Sequence, residues 1–456
     1  MVSGGLVLLP LLRERNLTVI KEFIAPRVLL DCSPYATFAV DTPTKRGTWP
    51  CRWIACPGDL TPPFVTAYRR QFAVDKQVVV RIHVSADERY ELFLDGVRIG
   101  RGNERGDEEH WYFETYDLML TPGEHRLVAR VWSVGPHRAY AQMTVLPGFL
   151  LSPDELDWVQ RIGTGTAPWE VKRLGGYAFT DPSPAWGTGQ NVVIDGSGFD
   201  WGCADGDGDG WVLAEAHEAG MNADSRSEEP ARRLLHPATL PPMYDQPWTV
   251  SQVRHIAALP SSLAAPPETS AIPIRAADNN VDEQAAWQGL LDDVQPLTIP
   301  PYTGRRVLLD LTDYVCAYPE LVVSGGQGSR VRVNWQEALY EQLPAQTKGD
   351  RNVIEGKYFT CAWGTYDGVG DTFLPDGGTS RRFETLWWQC GRYVEIVVQT
   401  ADEALTLERL TLRETRYPLE MESRFDADDI RLTNITPLAV RALQMCAHET
   451  YMDCPF

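Results

Sequence analysis

Three aspartates at alternate positions, Asp205, Asp207 and Asp209, lead into Gly210 in the run ADGDGDG. Carboxylates at that spacing, with a glycine in the turn, open a calcium-binding loop. Such a loop closes on a bidentate glutamate at its twelfth position, and residue 216 is Ala. The run therefore reads first as an acidic turn and second as a calcium candidate; no other metal and no cofactor is expected. Cys51 and Cys56 stand close together, but no Cys or His pair follows at zinc spacing, so they read as structural thiols. Glu337 and Arg392 suit a polar brace between strands. His448 and Glu449 suit packing or surface positions, and Asp453, opening Asp453-Cys454-Pro455, suits an Asx-type turn. Fifteen Trp are a rich supply. Aromatic faces serve sugar binding, and they also fill β-sheet cores.

The elements that would position these residues are strands. Val78, Val80, Ile82 and Val84 alternate with Val79, Arg81 and His83, the period of a half-buried strand. Tyr90, Leu92 and Leu94 repeat it, and Asp95-Gly96 supplies the positive-φ residues of a tight hairpin before Val97 and Ile99. Leu127, Ala129 and Val131 follow a Pro122-Gly123 turn. The fold class expected is mainly β: two antiparallel β-sandwich, jelly-roll-like modules at 35–151 and 300–416. The second is read from Val307–Leu311, Leu321–Val323, Val331–Trp335, Tyr393–Val398 and Leu405–Leu412. Residues 1–34 show no decisive pattern. Residues 152–299 read as irregular β-rich structure, with a Pro/Ala/Ser-rich linker near 259–278. Residues 417–456 change texture. A helix is expected over Asp426 to Thr450, with Asp426, Asp428 and Asp429 favouring its start, Thr436-Pro437 as N-cap and first turn, and Leu438, Ala442 and Met445 on one face.

At 456 residues the chain exceeds one ordinary core. Its formal net charge of −20 disfavours nucleic-acid and membrane-surface partners. Leu6–Leu12 is too short to span a bilayer and lacks a basic flank, and nine Cys without regular spacing fit reduced thiols, so a cytoplasmic location is expected.

Several runs together resemble bacterial α-L-rhamnosidases, which are inverting glycoside hydrolases. They are Arg52-Trp53-Ile54, Val84 to Gly96 (VSADERYELFLDG), Ile299-Pro300-Pro301 and Leu308 to Leu311 (LLDL). Further on come Asn334 to Tyr340 (NWQEALY), Lys348-Gly349-Asp350, Phe383 to Trp388 (FETLWW), Gly391 to Glu395 (GRYVE) and the terminal Asp453-Cys454-Pro455. The resemblance covers roughly Tyr35 onward. It implies the N-terminal accessory portion of such an enzyme, with the catalytic (α/α)6 barrel beginning at the end of the chain. It also implies that Asp453 holds sugar hydroxyls, and that the general acid would fall five residues later, at a position this sequence does not include. The expected partner is a rhamnose-containing glycoside, and the chain by itself is expected to be inactive. The alternative is a non-catalytic carbohydrate-binding β-sandwich protein.

Overall fold

The computed structural model describes residues 24–35, 45–139, 141–180, 189, 191–227, 231–263, 269, 272–342, 347–360 and 369–452. They form a mainly β structure in two compact units. The first comprises Met1–Pro136, Ala141–Leu174 and Gly202–Pro242; the second comprises His137–Tyr140, Gly175–Trp201 and Met243–Phe456.

In the first unit the strands are β1 (Arg27–Val28), β2 (Lys45–Ala55), β3 (Phe64–Val74), β4 (Val78–Asp87), β5 (Arg89–Leu94), β6 (Val97–Gly102), β7 (Trp111–Leu120), β8 (Gly123–Ser133), β9 (Gly148–Pro153) and β10 (Glu170–Arg173). Helix α1 (Leu156–Ile162) lies between the last two. After β11 (Tyr177–Phe179) and β12 (Val192–Asp195), which belong to the second unit, come β13 (Val212–Leu213), β14 (Glu215–Ser227) and β15 (Leu235–Pro237).

One sheet runs β1-β7-β15-β14-β2-β9-β4, and β4 pairs back to β7, so six of its strands close into a ring. This corrects the expectation of an open, wholly antiparallel sandwich sheet: the pairings of β15 with β14 and with β7 are parallel. Closure follows from β4 having two good partners, with Val78 to Val84 opposite Leu120 to Glu114 and Ile82 to Asp87 opposite Pro153 to Gly148. The second sheet, β13-β10-β3-β8-β5-β6, is antiparallel throughout. Its β5–β6 hairpin turns at Asp95 (φ 51°) and Gly96 (φ 77°), as the Asp-Gly signal requires.

Alternation along each strand sorts side chains to two cores. Ile82, Tyr116 and Phe149 from the ring join Tyr68, Tyr90 and Leu127 from the second sheet in one cluster. Trp49, Trp53, Trp111, Phe113 and Leu150, on the opposite faces of the ring strands, form another with Leu235. Phe149 is the hub of the first, with ring centroids 5.4 Å from Tyr68, 5.5 Å from Trp169 and 6.4 Å from Tyr90.

The second unit adds β16 (Tyr244–Pro247), β17 (Gln252–Leu259), α2 (Gln284–Leu291), β18 (Leu297–Ile299), β19 (Gly304–Gly325), β20 (Arg330–Gln336), β21 (Val369–Leu374), β22 (Arg381–Glu384), β23 (Gln389–Gln399) and β24 (Leu405–Arg416). Val307–Leu311 and Leu321–Val323, which read as separate strands, belong to the single 22-residue β19. Its first half pairs with β17 and β23; β23 pairs again at Val315, Cys316 and Ala317, and the rest of the second half pairs with β22 and β24. The register breaks between Asp310 and Val315, where Thr312 takes φ 65° and its N–H donates to the Asp310 carboxylate at 2.8 Å. β12 pairs in parallel with β21, a further departure from the antiparallel expectation.

Helix α3 spans Ile430–Cys446, shorter than expected at both ends. Its cap is Asp429, whose carboxylate accepts from Arg431 N at 2.9 Å, and Pro437 lies inside the helix instead of at its start. With the helix opened at Asp429, residues 436 and 437 lie within it, and Pro437, having no N–H, costs one internal hydrogen bond. Of the expected apolar face Met445 is buried, whereas Leu438 is 70% exposed and Ala442 is exposed. Arg441 fastens the helix to Glu414 (2.6 Å), Asp313 (3.0 Å) and the Tyr314 carbonyl. No helix among the described residues is long and apolar enough to cross a membrane.

Truncating the hub tests this account of the core. Phe149→Ala is expected to lower unfolding stability by about 3–5 kcal/mol, while Ile430→Ser, at an exposed helix position, stays within roughly 0.5 kcal/mol. Denaturant titration of the two variants against the parent chain measures both.

Candidate functional site

Glu88 is the single-residue link between β4 and β5 and lines a small pocket in the first unit. The space between its walls is about 260 Å³ with open solvent counted, and the part closed off by protein has room for about one water molecule or one hydroxyl group. Its walls come from the start of β5 (Arg89), the loop after β6 (Asn103, Arg105, Gly106), the start of β7 (Trp111, Tyr112) and the segment Ala141–Met143.

Each wall is fastened by hydrogen bonds that leave a few polar atoms over. Asn103 accepts from Ala86 N at 3.0 Å through its side chain and from Arg89 at 2.9 Å through its carbonyl. Glu104 accepts from Thr239 N at 2.7 Å, from the Thr239 hydroxyl at 2.9 Å and from Leu240 N, so the loop is tied to the chain after β15. Gly106 has no alternative: a Cβ there would lie 1.9 Å from the His110 carbonyl oxygen. The consecutive acids Asp87 and Glu88 hold the segment on the far side. Asp87 Oδ2 accepts from Val145 N (2.8 Å) and Leu146 N (2.7 Å), and Glu88 Oε2 accepts from Val134 N (3.0 Å) and the Thr144 hydroxyl (2.7 Å).

Beneath them sits Arg233, 2% exposed. Its guanidinium donates to Asp87 (3.2 Å), Glu218 (2.6 Å) and the Leu146 carbonyl (2.7 Å), and its centre stands 3.6 Å from the Trp53 ring centroid. Burial pushes the Asp87 carboxyl upward in spite of this partner. The half-buried Glu218 is desolvated less and Arg233 holds it below the usual carboxylate range.

Three buried polar atoms of lining residues then have no hydrogen-bond partner: Glu88 Oε1, Trp111 Nε1 and Gln142 Nε2. One is an acceptor and two are donors, a set that hydroxyl groups, which both donate and accept, can satisfy at once. Burial pushes the Glu88 carboxyl up to about 7, against the hydrogen bonds that favour its charged form. Glu88 thus exchanges its proton near neutrality, and when protonated its second oxygen is a donor as well.

The residues singled out in the sequence lie elsewhere. Asp453 falls outside the described residues. Asp207 pairs with Arg126 at 2.9 Å, and the Asp205 carbonyl accepts from the same guanidinium, whereas Asp209 is exposed. No group of three or more His, Cys, Asp or Glu that could hold a metal ion occurs among the described residues. Arg392 clasps Asp310 at 2.9 and 3.0 Å, and Glu337 pairs with Lys348. His448 is buried, stacked on Trp388 at 4.1 Å between centroids, with Nε2 3.0 Å from the Thr415 carbonyl. Glu88, Trp111 and Gln142 were missed. Their signal was the pair Asp87-Glu88, two residues depleted from strands, interrupting an otherwise regular alternation.

No family model matches the chain, and no curated protein matches it. Solved structures do. The GH78 family rhamnosidase of Bacillus sp. GL1 superposes with a TM-score of 0.66 at 13% identity, over 90% of this chain and 59% of that one. The fold is similar to that of rhamnosidases. The α-L-rhamnosidase from Dictyoglumus thermophilum gives a TM-score of 0.54 at 14% identity, over 89% of this chain and 40% of the other. The native enzyme from Aspergillus terreus gives 0.52 at 14% identity, over 89% and 41%. The chain therefore spans between two fifths and three fifths of the length of these rhamnosidases. At such identities the likeness is one of fold.

The Glu88 carboxyl carries a pH signature. Its folded-state value near 7 exceeds the ordinary 4.5. Between those values the folded state binds more proton than the unfolded one, so stability from this group is greatest below 4.5 and falls as pH rises to about 7. Glu88→Gln removes that dependence, and at pH 8 the variant is expected to be more stable than the parent by up to about 3 kcal/mol. Denaturant titrations of both proteins from pH 4 to 8 give the difference curve.

Proposed function

We propose that the chain is the sugar-recognising, β-rich portion of a glycoside hydrolase resembling α-L-rhamnosidase, and that the pocket beside Glu88 receives a hydroxyl group of a sugar lying against it. The observation that carries this reading is the set of three unpartnered buried polar atoms, Glu88 Oε1, Trp111 Nε1 and Gln142 Nε2, on residues that line one small pocket. A sugar hydroxyl, which both donates and accepts, matches their mixture of donor and acceptor. The rhamnosidase-like fold favours L-rhamnose among the sugars.

In this reading the two units act as sandwich-like modules, and α3 is the first helix of an (α/α)6 barrel. The barrel removes terminal α-L-rhamnose with inversion, and Asp453 contributes to holding sugar hydroxyls there. Inverting hydrolysis needs two carboxyl groups about 6.5–9.5 Å apart, one as acid and one as base. Glu88 is the one carboxyl among the lining residues, so the pocket does not supply such a pair. The same observation supports the second reading, a carbohydrate-binding protein with no hydrolytic role.

Calorimetric titration with L-rhamnose, with D-glucose as comparison, tests the pocket. Saturable binding is expected, with a dissociation constant on the order of 1 mM. Trp111→Phe and Gln142→Ala are each expected to weaken it roughly five- to tenfold, the loss of one hydrogen bond to the ligand. Absence of binding, or binding indifferent to both substitutions, refutes this assignment. A chromogenic α-L-rhamnoside is expected to show no turnover by this chain; turnover abolished by Glu88→Gln would make the pocket a catalytic centre instead.

A further inference from the structure

Cys316 on β19 and Cys390 on β23 are direct partners across an antiparallel ladder, and both are fully buried thiols. Directly opposed residues in such a ladder have Cα atoms about 4.5–5.5 Å apart. A disulfide accepts Cα separations of about 4.4–6.8 Å. A bond between the two sulfurs therefore requires rotation of side chains and little movement of backbone. The thiols already interact: burial first, and then the hydrogen bond between them, push Cys316 well above the ordinary thiol range.

What covers the pair is specific. Cys316 Sγ–H points at the Met445 carbonyl oxygen at 3.7 Å, and the Tyr314 hydroxyl donates to Cys390 Sγ at 3.3 Å. Met445, Trp387 and Trp388 complete the cluster around them. Met445 is the one buried residue of α3, whose other anchor is Arg441. A helix so held opens locally at lower cost than the strands beneath it. No other two described cysteines are paired across a ladder: Cys51 and Cys56 fall in different clusters, and Cys32 is exposed.

We propose that Cys316 and Cys390 form an oxidisable dithiol, closed to a disulfide by a low-molecular-weight disulfide when the C-terminal end of α3 lifts. One cysteine, as thiolate, attacks the small disulfide and expels one small thiolate, leaving a mixed disulfide on the protein. The second cysteine, losing its proton, attacks that protein sulfur and expels the other small thiolate. The two protons pass to the two departing thiolates, and two electrons reduce the small disulfide. The product no longer has the S–H that faced the Met445 carbonyl. Oxidation and helix docking are therefore linked: the dithiol favours the docked helix, and the disulfide favours the lifted one.

The test is incubation of the chain with excess oxidised glutathione, then acid quench, alkylation and mass mapping of a non-reducing digest. The expected result is a linked peptide containing Cys316 and Cys390 while Cys32 carries glutathione, reversed by dithiothreitol. Arg441→Gln, which frees α3, is expected to raise the rate of linkage several-fold. Should that variant destabilise the whole chain, Asp313→Asn removes one Arg441 partner and permits the same comparison. Cys316 and Cys390 remaining separate thiols after Cys32 has reacted overturns the proposal. A linkage rate unchanged in a folded variant overturns the role of the helix.

Discussion

One buried cation organises the site. Arg233 lies on the Trp53 ring and donates to Asp87, Glu218 and the Leu146 carbonyl. Without it Asp87 would be a desolvated carboxyl with no countercharge, a situation that costs several kcal/mol when one partner of a buried pair is removed. Asp87 in turn holds Val145 and Leu146, and its neighbour Glu88 holds Val134 and Thr144. The two acids leave the strand in sequence, one served by the guanidinium and one left to the pocket. Adjacent residues thus differ in their surroundings, because only one of them reaches the cation, and Glu88 keeps one oxygen without a hydrogen-bond partner.

The second unit solves a different problem with similar means. β19 must leave one set of partners and join another without wasting backbone donors. Asp310 manages the change: it accepts from Thr312 N, is clasped by Arg392 and pairs with Arg254 at 2.7 Å. Two arginines on one carboxylate hold it below the ordinary range even though burial opposes this. The break in register is therefore fixed by charge, and the apolar alternation resumes at Val315 with the chain redirected.

Much of the fold was legible because period-two patterns are local. Val78 to Val84, Tyr90 to Leu94 and the Asp95-Gly96 turn appear where the alternation places them. Closure of the ring was not legible, since it depends on β4 meeting both β9 and β7, segments separated from it by dozens of residues. The continuity of β19 was hidden by Asp310, Thr312 and Asp313, polar residues that ordinarily end a strand. The start of α3 lies among the aspartates that favour one, at Asp429, whereas Thr436-Pro437, a sound cap on local grounds, falls inside the helix because Asp429 has already opened it. The pocket was the least legible feature. Its three unpartnered atoms come from residues 88, 111 and 142, and nothing in their spacing announces that these line one pocket. Only the Asp87-Glu88 pair marked the place.

The two sheets of the first unit end differently. Six strands of one close on themselves, leaving only β1 outside the circle. The other is open and ends at β6, where unpaired backbone groups could recruit a strand from another molecule. That edge carries Arg98 and Arg101, both turned to Glu91 on β5 at 3.2 and 2.9 Å. It is also short, six residues, and four of its positions, Arg98, Gly100, Arg101 and Gly102, bear charge or no side chain. A second copy approaching in register would bring its own arginines against these. The hairpin that frames the pocket is thereby protected against edge-to-edge aggregation by the residues that brace it.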